Sequence, residues 1–156
     1  MKKIILLILL LINFAAIAQK VDALAELAIK KTIHTFFLSL EKQDSILYKS
    51  AVLLDGQIWR INNTSNPKKY DMRDFRTDIT KLVSKNKLKE IPYRFDIKIL
   101  NGIAMAWVPY EFYLNEQFTH CGIDVFSLIE TQDGWKIVSL SYSIEKTGCE
   151  VLKKVN

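Results

Sequence analysis

The sequence predicts an α+β domain in which N-terminal helices pack on a curved antiparallel sheet and form a cone. Two observations support this fold class. Apolar residues recur at helical spacing in the first half of the chain, within residues 21–43 and again within 71–83. From Pro92 onward, alternating aromatic-rich segments separated by turn signals predict an antiparallel meander. Long strands that close behind helices typically enclose a cavity.

The N-terminal half is predicted to be mainly helical. Residues 21–43 form a long helix whose apolar stripe is Ile29, Ile33, Phe36, Phe37 and Leu40. Asp44 is a candidate N-cap for a short helix through residue 49, with Ile46 or Leu47 facing the core. Asp71 is predicted to cap a third helix, with Asp74 three residues later in an imperfect capping box. The stripe of that helix is Met72, Phe75, Ile79, Leu82 and Val83.

Strands and loops account for the rest of the chain. A short strand at residues 57–61 carries Trp59, and the polar residues 62–69 form a loop. The meander is predicted at residues 93–100, 103–114, 118–131 and 135–146. Its three turns are Asn101-Gly102, a turn near Asn115-Glu116, and Asp133-Gly134, of which the Asn-Gly and Asp-Gly pairs favour two-residue hairpins.

Residues 1–18 have the pattern of a secretory signal peptide. Lys2 and Lys3 precede an apolar run over residues 4–12, and small residues at positions 16 and 18 predict cleavage before Gln19. An uncleaved anchor is the alternative, but the run is shorter than the roughly 20 residues that span a bilayer. We therefore expect one domain over residues 19–156, located in the periplasm or outside the cell, with no membrane contact after cleavage.

The net charge limits the kinds of partner that the protein can bind, and the cysteines indicate its compartment. Without Lys2 and Lys3 the formal net charge falls from +5 to +3, which is too small for a nucleic-acid-binding surface. The two cysteines, Cys121 and Cys149, are expected to pair in an oxidising compartment. A bridge within the chain is favoured over one between two chains. The two histidines and two cysteines show no metal-ligand spacing, and no motif predicts a cofactor.

The predicted meander carries motifs that resemble a known family. They are Trp107-x-Pro109-Tyr110-x-Phe112-Tyr113, His120-Cys121-Gly122-x-Asp124-x-Phe126-x-Leu128, and Asp133-Gly134-Trp135-Lys136-Ile137. Together with the order of elements, they resemble a secreted bacterial branch of the nuclear transport factor 2-like (NTF2-like, SnoaL-like) superfamily. The resemblance implies a cone fold, a homodimer through the sheet and a cysteine at the end of the last strand, matched by Cys149. The chain departs from the family at Tyr142-Ser143-Ile144-Glu145, where an Asp-Thr-Arg-Arg stretch is common.

Two-residue turns in the meander would place several polar side chains on one face. They set Glu111 opposite His120, Trp107 opposite Asp124, and Asp124 opposite Ser143. That face would combine two acids and an imidazole with aromatic rings, as a general acid–base pocket requires. Ordinary cross-strand polar pairs are the alternative. A single bulge, for which Pro109 is a candidate position, would exchange the faces. Which face meets the helices stays open.

The function we expect from the sequence is binding of a small apolar or aromatic molecule. Trp59, Trp107, Tyr110 and Phe126 would form the wall of the site, and Glu111, His120 and Asp124 its polar anchors. One alternative is an isomerase or dehydratase that uses His120 or Asp124 as general base, as the resemblance suggests. The other is a purely structural homodimer. The opposite sheet face is nearly all apolar, and because the helices can cover only one face, the other is expected to meet a second copy of the chain.

Overall fold

The computed structural model describes residues 23–154. The predicted signal peptide lies outside these residues. Helix α1 covers residues 23–42, and its predicted stripe is confirmed because Ile29, Ile33, Phe36 and Phe37 are buried. Helix α2 (Ser45–Ala51) follows directly, since the Asp44 carboxylate accepts hydrogen bonds from the N–H groups of its first turn, as predicted. The residues that α2 buries are Tyr48 and Ala51, whereas Ile46 is exposed and Leu47 is half-buried, so neither predicted residue is fully in the core.

Seven strands form one mixed sheet. They are β1 (Val52–Asn62), β2 (Lys69–Asp74), β3 (Leu88–Pro92), β4 (Asp96–Leu100), β5 (Ile103–Leu114), β6 (Gln117–Thr131) and β7 (Gly134–Ile144). The strand order is β2-β1-β7-β6-β5-β3, and β4 pairs with the other half of the β5 edge. Strands β4 to β7 form the predicted antiparallel meander, and β1 joins β7 in parallel. The α+β cone fold predicted from the sequence is confirmed.

The segment before the third helix differs from the prediction. Residues 69–74 form strand β2, antiparallel to β1, and helix α3 (Phe75–Leu82) begins only after it. Its N-cap is Asp74, whose carboxylate accepts from the N–H of Thr77, and not Asp71. Met72 therefore belongs to a strand and is exposed. This strand was not predicted, although its side chains alternate between the two faces. Asp71 and Asp74 occupy helix-capping positions before an apolar stripe, and this pattern indicated a helix.

Two bulges change the predicted register of the meander. The turn at Asn115-Glu116 is as predicted, and Tyr113 pairs with Phe118, but Thr119 is then an extra residue. From that point Phe112, and not Glu111, lies opposite His120. A second extra residue, Val138, follows a turn that falls one residue earlier than predicted. Each bulge exchanges the two faces of the strand beyond it.

The corrected register changes every cross-strand pair in the predicted polar cluster. Asp124 lies opposite Val108 and Tyr142, where we expected Trp107 and Ser143. We call the sheet surface that carries Asp124 the inner face, and the opposite surface the outer face. Helices α1 to α3 cover the inner face, because the rings of Phe36 and Phe37 on α1 lie 5.9 and 5.7 Å from that of Phe126. The structure therefore shows which sheet face meets the helices, a point that the sequence left open.

A short C-terminal helix, α4 (Cys149–Lys154), is attached to the outer face beside β5 and β6. Cys149 forms a disulfide with Cys121 of β6 within the same chain, with Cα atoms 5.7 Å apart. Arg94 adds a hydrogen bond of 2.6 Å from its guanidinium to the carbonyl oxygen of Leu152. None of the helices within residues 23–154 has the length and hydrophobicity of a membrane-spanning segment.

Candidate functional site

A cavity of about 310 Å³ lies between the inner face and the helices. We call it the inner cavity. Its walls come from α1, α3 and six of the strands, so residues distant in the sequence converge there. Aromatic and aliphatic side chains form most of the wall, and ionisable groups lie at defined places in it. The lining residues are Phe36, Leu40, Arg60, Arg73, Asp78, Lys81, Leu82, Leu88, Glu90, Tyr110, Phe112, His120, Asp124, Leu140, Tyr142 and Ile144.

Two carboxyl groups meet in the wall of this cavity. Asp124 on β6 is 1% exposed, and its Oδ2 is fully buried. Glu90 on β3 is close enough for its carboxyl to hydrogen-bond that of Asp124. Burial, together with the neighbouring Glu90 charge, raises the pKa of Asp124 well above its usual range. Burial also raises the pKa of Glu90 to about 7. Near neutral pH the pair therefore retains a proton that it can donate.

Tyr110 forms the wall next to this pair. It lies opposite Gly122, and its hydroxyl donates a 2.7 Å hydrogen bond to the carbonyl oxygen of Ser143. A Cβ at position 122 would lie 2.0 Å from that carbonyl oxygen and 2.9 Å from the Tyr110 ring. Glycine is thus required for the ring to pack against the strand. Because its hydroxyl proton is engaged, Tyr110 contributes an apolar surface.

His120 is a neutral group in the same wall. Its ring stacks on Phe112 at a centroid distance of 4.9 Å, and its Nδ1 lies 2.7 Å from Oγ1 of Thr119. Burial, with a smaller effect from the Lys146 charge, lowers the pKa of His120 to about 4. At neutral pH the uncharged imidazole offers one donor and one acceptor.

A hydrogen-bonded chain fixes the polar side of the cavity near β2. Arg73 donates from Nε to Oδ1 of Asp78 at 2.6 Å, and from Nη1 to the hydroxyl of Tyr142 at 3.4 Å. The hydroxyl of the fully buried Tyr48 donates to the second oxygen of Asp78 at 3.0 Å. Burial lowers the pKa of Arg73, but the Asp78 charge outweighs burial and raises the pKa above its usual range. Arg73 is therefore a fixed cation in the cavity wall.

The structure separates the seven predicted site residues into four groups. Tyr110, His120 and Asp124 line the inner cavity. Phe126 is on the same face but is buried in the core against α1. Trp59 and Trp107 lie on the outer face, 43% and 44% exposed, in a shallow groove of about 410 Å³. The bulge at Thr119 explains why the Trp107 side chain does not share a face with Asp124.

Glu111, the remaining predicted anchor, belongs to a different cluster. It lies opposite Cys121 on the outer face, and Nζ of Lys153 on α4 is 2.8 Å from its carboxylate. The hydroxyl of Tyr113 donates to it at 2.8 Å. Burial raises the pKa of Glu111, but the hydrogen bonds from Lys153 and the neighbouring tyrosines outweigh burial and lower it overall. This ion pair holds α4 in place.

Sequence reasoning missed Glu90 and Arg73. Both lie on strands that were not predicted, β3 and β2, and their side chains alternate with residues of the other face. A recognised strand at residues 88–92 would have shown that Leu88 and Glu90 share a face. No sequence signal would have paired Glu90 with Asp124, because β3 is connected to β6 only through β5. Within residues 23–154, no three His, Cys, Asp or Glu side chains are grouped to hold a metal ion.

Comparison with known proteins identifies the fold. No protein-family model matches the sequence, and no curated protein matches it. Solved structures do match. An NTF2-like superfamily protein from Salmonella enterica serovar Typhimurium is 21% identical, with a TM-score of 0.60 over 81% of this chain and 96% of that one. An NTF2-like protein from Cytophaga hutchinsonii is 16% identical, with a TM-score of 0.62 over 75% and 95% of the two chains.

A third structure, of a candidate dehydratase of the NTF2-like family from Streptomyces avermitilis, is 12% identical. Its TM-score is 0.63 over 80% of this chain and 97% of that one. The protein therefore has the NTF2-like fold, as the sequence resemblance implied. At these identities the likeness is one of fold, and the function has to be argued from the site.

Proposed function

We propose that the protein binds a small, mainly apolar or aromatic molecule in the inner cavity, where a carbonyl or hydroxyl group of that molecule hydrogen-bonds to the Asp124–Glu90 pair. The observation that carries this proposal is the position of the buried Asp124–Glu90 carboxyl pair in the wall of a mainly apolar cavity. A proton-bearing carboxyl pair can both donate to and accept from a polar group of a ligand.

The remaining wall supports a ligand of this kind. Phe36, Leu40, Phe112 and Leu140 provide apolar contacts, and the Tyr110 ring is held rigidly by its hydrogen bond. A volume of about 310 Å³ lies at the lower end of the range for small-molecule sites. The expected ligand is therefore about the size of one or two rings.

The proposal is tested with small aromatic and alicyclic ketones and alcohols, by ligand-observed NMR on the wild type, Asp124→Leu and Asp133→Leu. Leucine at position 124 keeps the branched shape of the side chain, with larger methyl groups in place of the oxygens, and removes its hydrogen bonds. Asp133 lies in an exposed hairpin turn and provides the matched control. We expect binding to weaken roughly twofold to tenfold in Asp124→Leu, since a hydrogen bond to an uncharged carboxyl contributes roughly 0.5–1.5 kcal/mol. Failure of all these compounds to bind, or equal binding to both variants, would contradict the proposal.

A second candidate is acid–base catalysis of the isomerase or dehydratase type. It is favoured by the pKa of Glu90, which burial brings to about 7, next to a carboxyl that stays protonated. Such a pair can accept one proton and donate another at neutral pH. Of the two bases that we considered from sequence, His120 is neutral but only weakly basic, and Asp124 retains its proton. Glu90 is the better base.

Catalysis would be detected as exchange of ligand protons with deuterated solvent. A bound cyclic ketone should lose its α-protons to D₂O in the presence of the wild type, more slowly with Glu90→Gln, and at the wild-type rate with Glu130→Gln, whose side chain is exposed. Binding without exchange would favour the non-catalytic function.

The compartment that we propose is the periplasm or the cell exterior. An intrachain disulfide between Cys121 and Cys149 supports an oxidising environment. The N-terminal pattern of residues 1–18 supports export. Mass spectrometry of the protein purified from cells expressing the full chain should find Gln19 at the N-terminus. An intact Met1 in the cytoplasmic fraction would contradict this.

We also propose a homodimer that is formed through the outer face. Apolar side chains there are exposed in a contiguous patch, namely Trp59, Ile61, Tyr70, Met72, Met105 and Trp107. Patches of this kind usually mark an interface. The dimer is consistent with a purely structural role as well, so the cavity experiments above are needed to distinguish the functions.

A further inference from the structure

The mouth of the inner cavity is positively charged. Three basic side chains line it, each from a different element: Arg60 on β1, Arg73 on β2 and Lys81 on α3. Lys81 is exposed to solvent and also lines the cavity, so it marks the opening. Apart from the Asp124–Glu90 pair, the one carboxylate among the lining residues is Asp78.

The ion pairs around the mouth leave one cation without an acidic partner. Arg60 pairs with Asp71, and Arg73 with Asp78. No carboxylate among residues 23–154 lies within ion-pair distance of Lys81. The Lys81 ammonium is therefore the uncompensated charge at the opening.

Arg73 and Tyr142 add directed donors to this charge. The hydrogen bonds described above use two of the five N–H groups of Arg73, which leaves three. The Tyr142 hydroxyl accepts from Arg73, and no acceptor for its own proton is present in the described part of the chain. Because Asp78 and the buried Tyr48 hold Arg73 in place, these donors need little reorganisation to bind an anion.

The β-register places this cationic end across the inner face from the acid pair. Arg73 on β2 is three strands from Asp124 on β6, and its guanidinium reaches the Tyr142 hydroxyl on the intervening strand β7. Tyr142 lies opposite Asp124, one strand spacing away. Measured across the sheet, the anion site therefore lies between about 5 and 14 Å from Asp124, and a molecule with polar groups at both ends of a ring and a short chain matches this span.

We infer that the ligand of the inner cavity is an aromatic or alicyclic carboxylic acid with a hydroxyl or carbonyl group at its other end. Its carboxylate binds at Lys81 and the Arg73–Tyr142 pair, and its hydroxyl or carbonyl binds at Asp124. This inference rests on the proposed function and names the chemical class of the ligand.

The test compares acids with their neutral amides. The probes are 4-hydroxyphenylacetate and 4-hydroxycinnamate, each beside its primary amide, measured by calorimetry and competition NMR at pH 7.5. The proteins are the wild type, Lys81→Glu, and Lys85→Glu as a control, since Lys85 is exposed and does not line the cavity. Both substitutions change the net charge equally.

We expect the acids to bind the wild type more tightly than the amides, and Lys81→Glu to weaken acid binding roughly twofold to tenfold, because Lys81 is exposed and the reversed charge also repels the acid. Binding of the amides should not change, and Lys85→Glu should have little effect. Equal binding of acids and amides, or an equal effect of both substitutions, would overturn this inference and leave the proposed binding function intact. If neither series binds at millimolar concentration, both fail.

Discussion

Replacing Glu90 by Gln should make the stability of the protein less dependent on pH between about 4.5 and 7. Burial raises the pKa of Glu90 from 4.5 to about 7 in the folded state. Between these values the folded protein keeps a proton that the unfolded chain releases, so the free energy of unfolding falls as the pH rises. Gln cannot release a proton, and this contribution is absent from the variant.

The magnitude follows from the two pKa values. At 1.36 kcal/mol per pH unit, a rise from 4.5 to about 7 corresponds to at most about 3 kcal/mol. Because the carboxyl of Asp124 shares the proton, we expect about 2–3 kcal/mol. The difference in unfolding free energy between Glu90→Gln and the wild type should therefore shift by this amount in favour of the variant between pH 4.5 and 7.5.

Urea unfolding at one-unit pH intervals, with the disulfide intact, measures this difference directly. His120 contributes with the opposite sign between pH 4 and 6.5, but it is present in both proteins and cancels. Glu130→Gln, at an exposed position, is the control and should follow the wild type. A constant difference between Glu90→Gln and the wild type across this range would refute the assignment of a proton to the carboxyl pair.

Other substitutions test the rest of the structure. His120→Gln should remove a contribution to stability that rises between pH 4 and 6.5, since the folded state disfavours the imidazolium that the unfolded chain forms; a stability difference from the wild type that stays constant with pH in urea unfolding would contradict this. Gly122→Ala should lower stability by about 2–4 kcal/mol and displace the Tyr110 ring, which thermal melts and near-UV circular dichroism would detect, whereas wild-type behaviour would disprove the close packing. Cys149→Ser should lower the unfolding free energy by roughly 3–4 kcal/mol relative to the oxidised wild type, and by little relative to the reduced one. Trp107→Ser should shift sedimentation from dimer to monomer while ligand binding in the cavity is retained, and an unchanged sedimentation coefficient would argue against the outer-face dimer.

The secondary-structure elements that could be predicted are those whose sequence signals come from residues close together in the chain. The apolar stripe of α1 and the Asp44 cap depend on residues within a few positions of each other. The turns at Asn101-Gly102 and Asn115-Glu116 fall where the sequence placed them, with positive φ angles in each. Strand β2 was missed because its signal is a cross-strand pairing with β1 and because Asp71 has the features of a helix cap.

The candidate site was predicted only in part, because one extra residue in a strand exchanges the sheet faces on which its side chains lie. Sequence patterns identified Tyr110, His120 and Asp124 as chemically informative, and all three line the inner cavity. The extra residue Thr119 reversed the faces, so Trp107 and Glu111 were placed with Asp124 when they belong to the outer face. No local sequence pattern shows where a β-bulge will interrupt the hydrogen bonding between two strands.

The sequence by itself determined the fold class, the four-stranded meander and the two cysteines available for a disulfide, because helical periodicity, alternation and turn chemistry act over short stretches of chain. Only the tertiary structure decided which sheet face the helices cover and which side chains meet there. The pairing of Glu90 with Asp124, and of Arg73 with Tyr142, joins strands that are far apart in sequence. Such contacts depend on strand order, register and bulges, which the packing of the whole sheet sets.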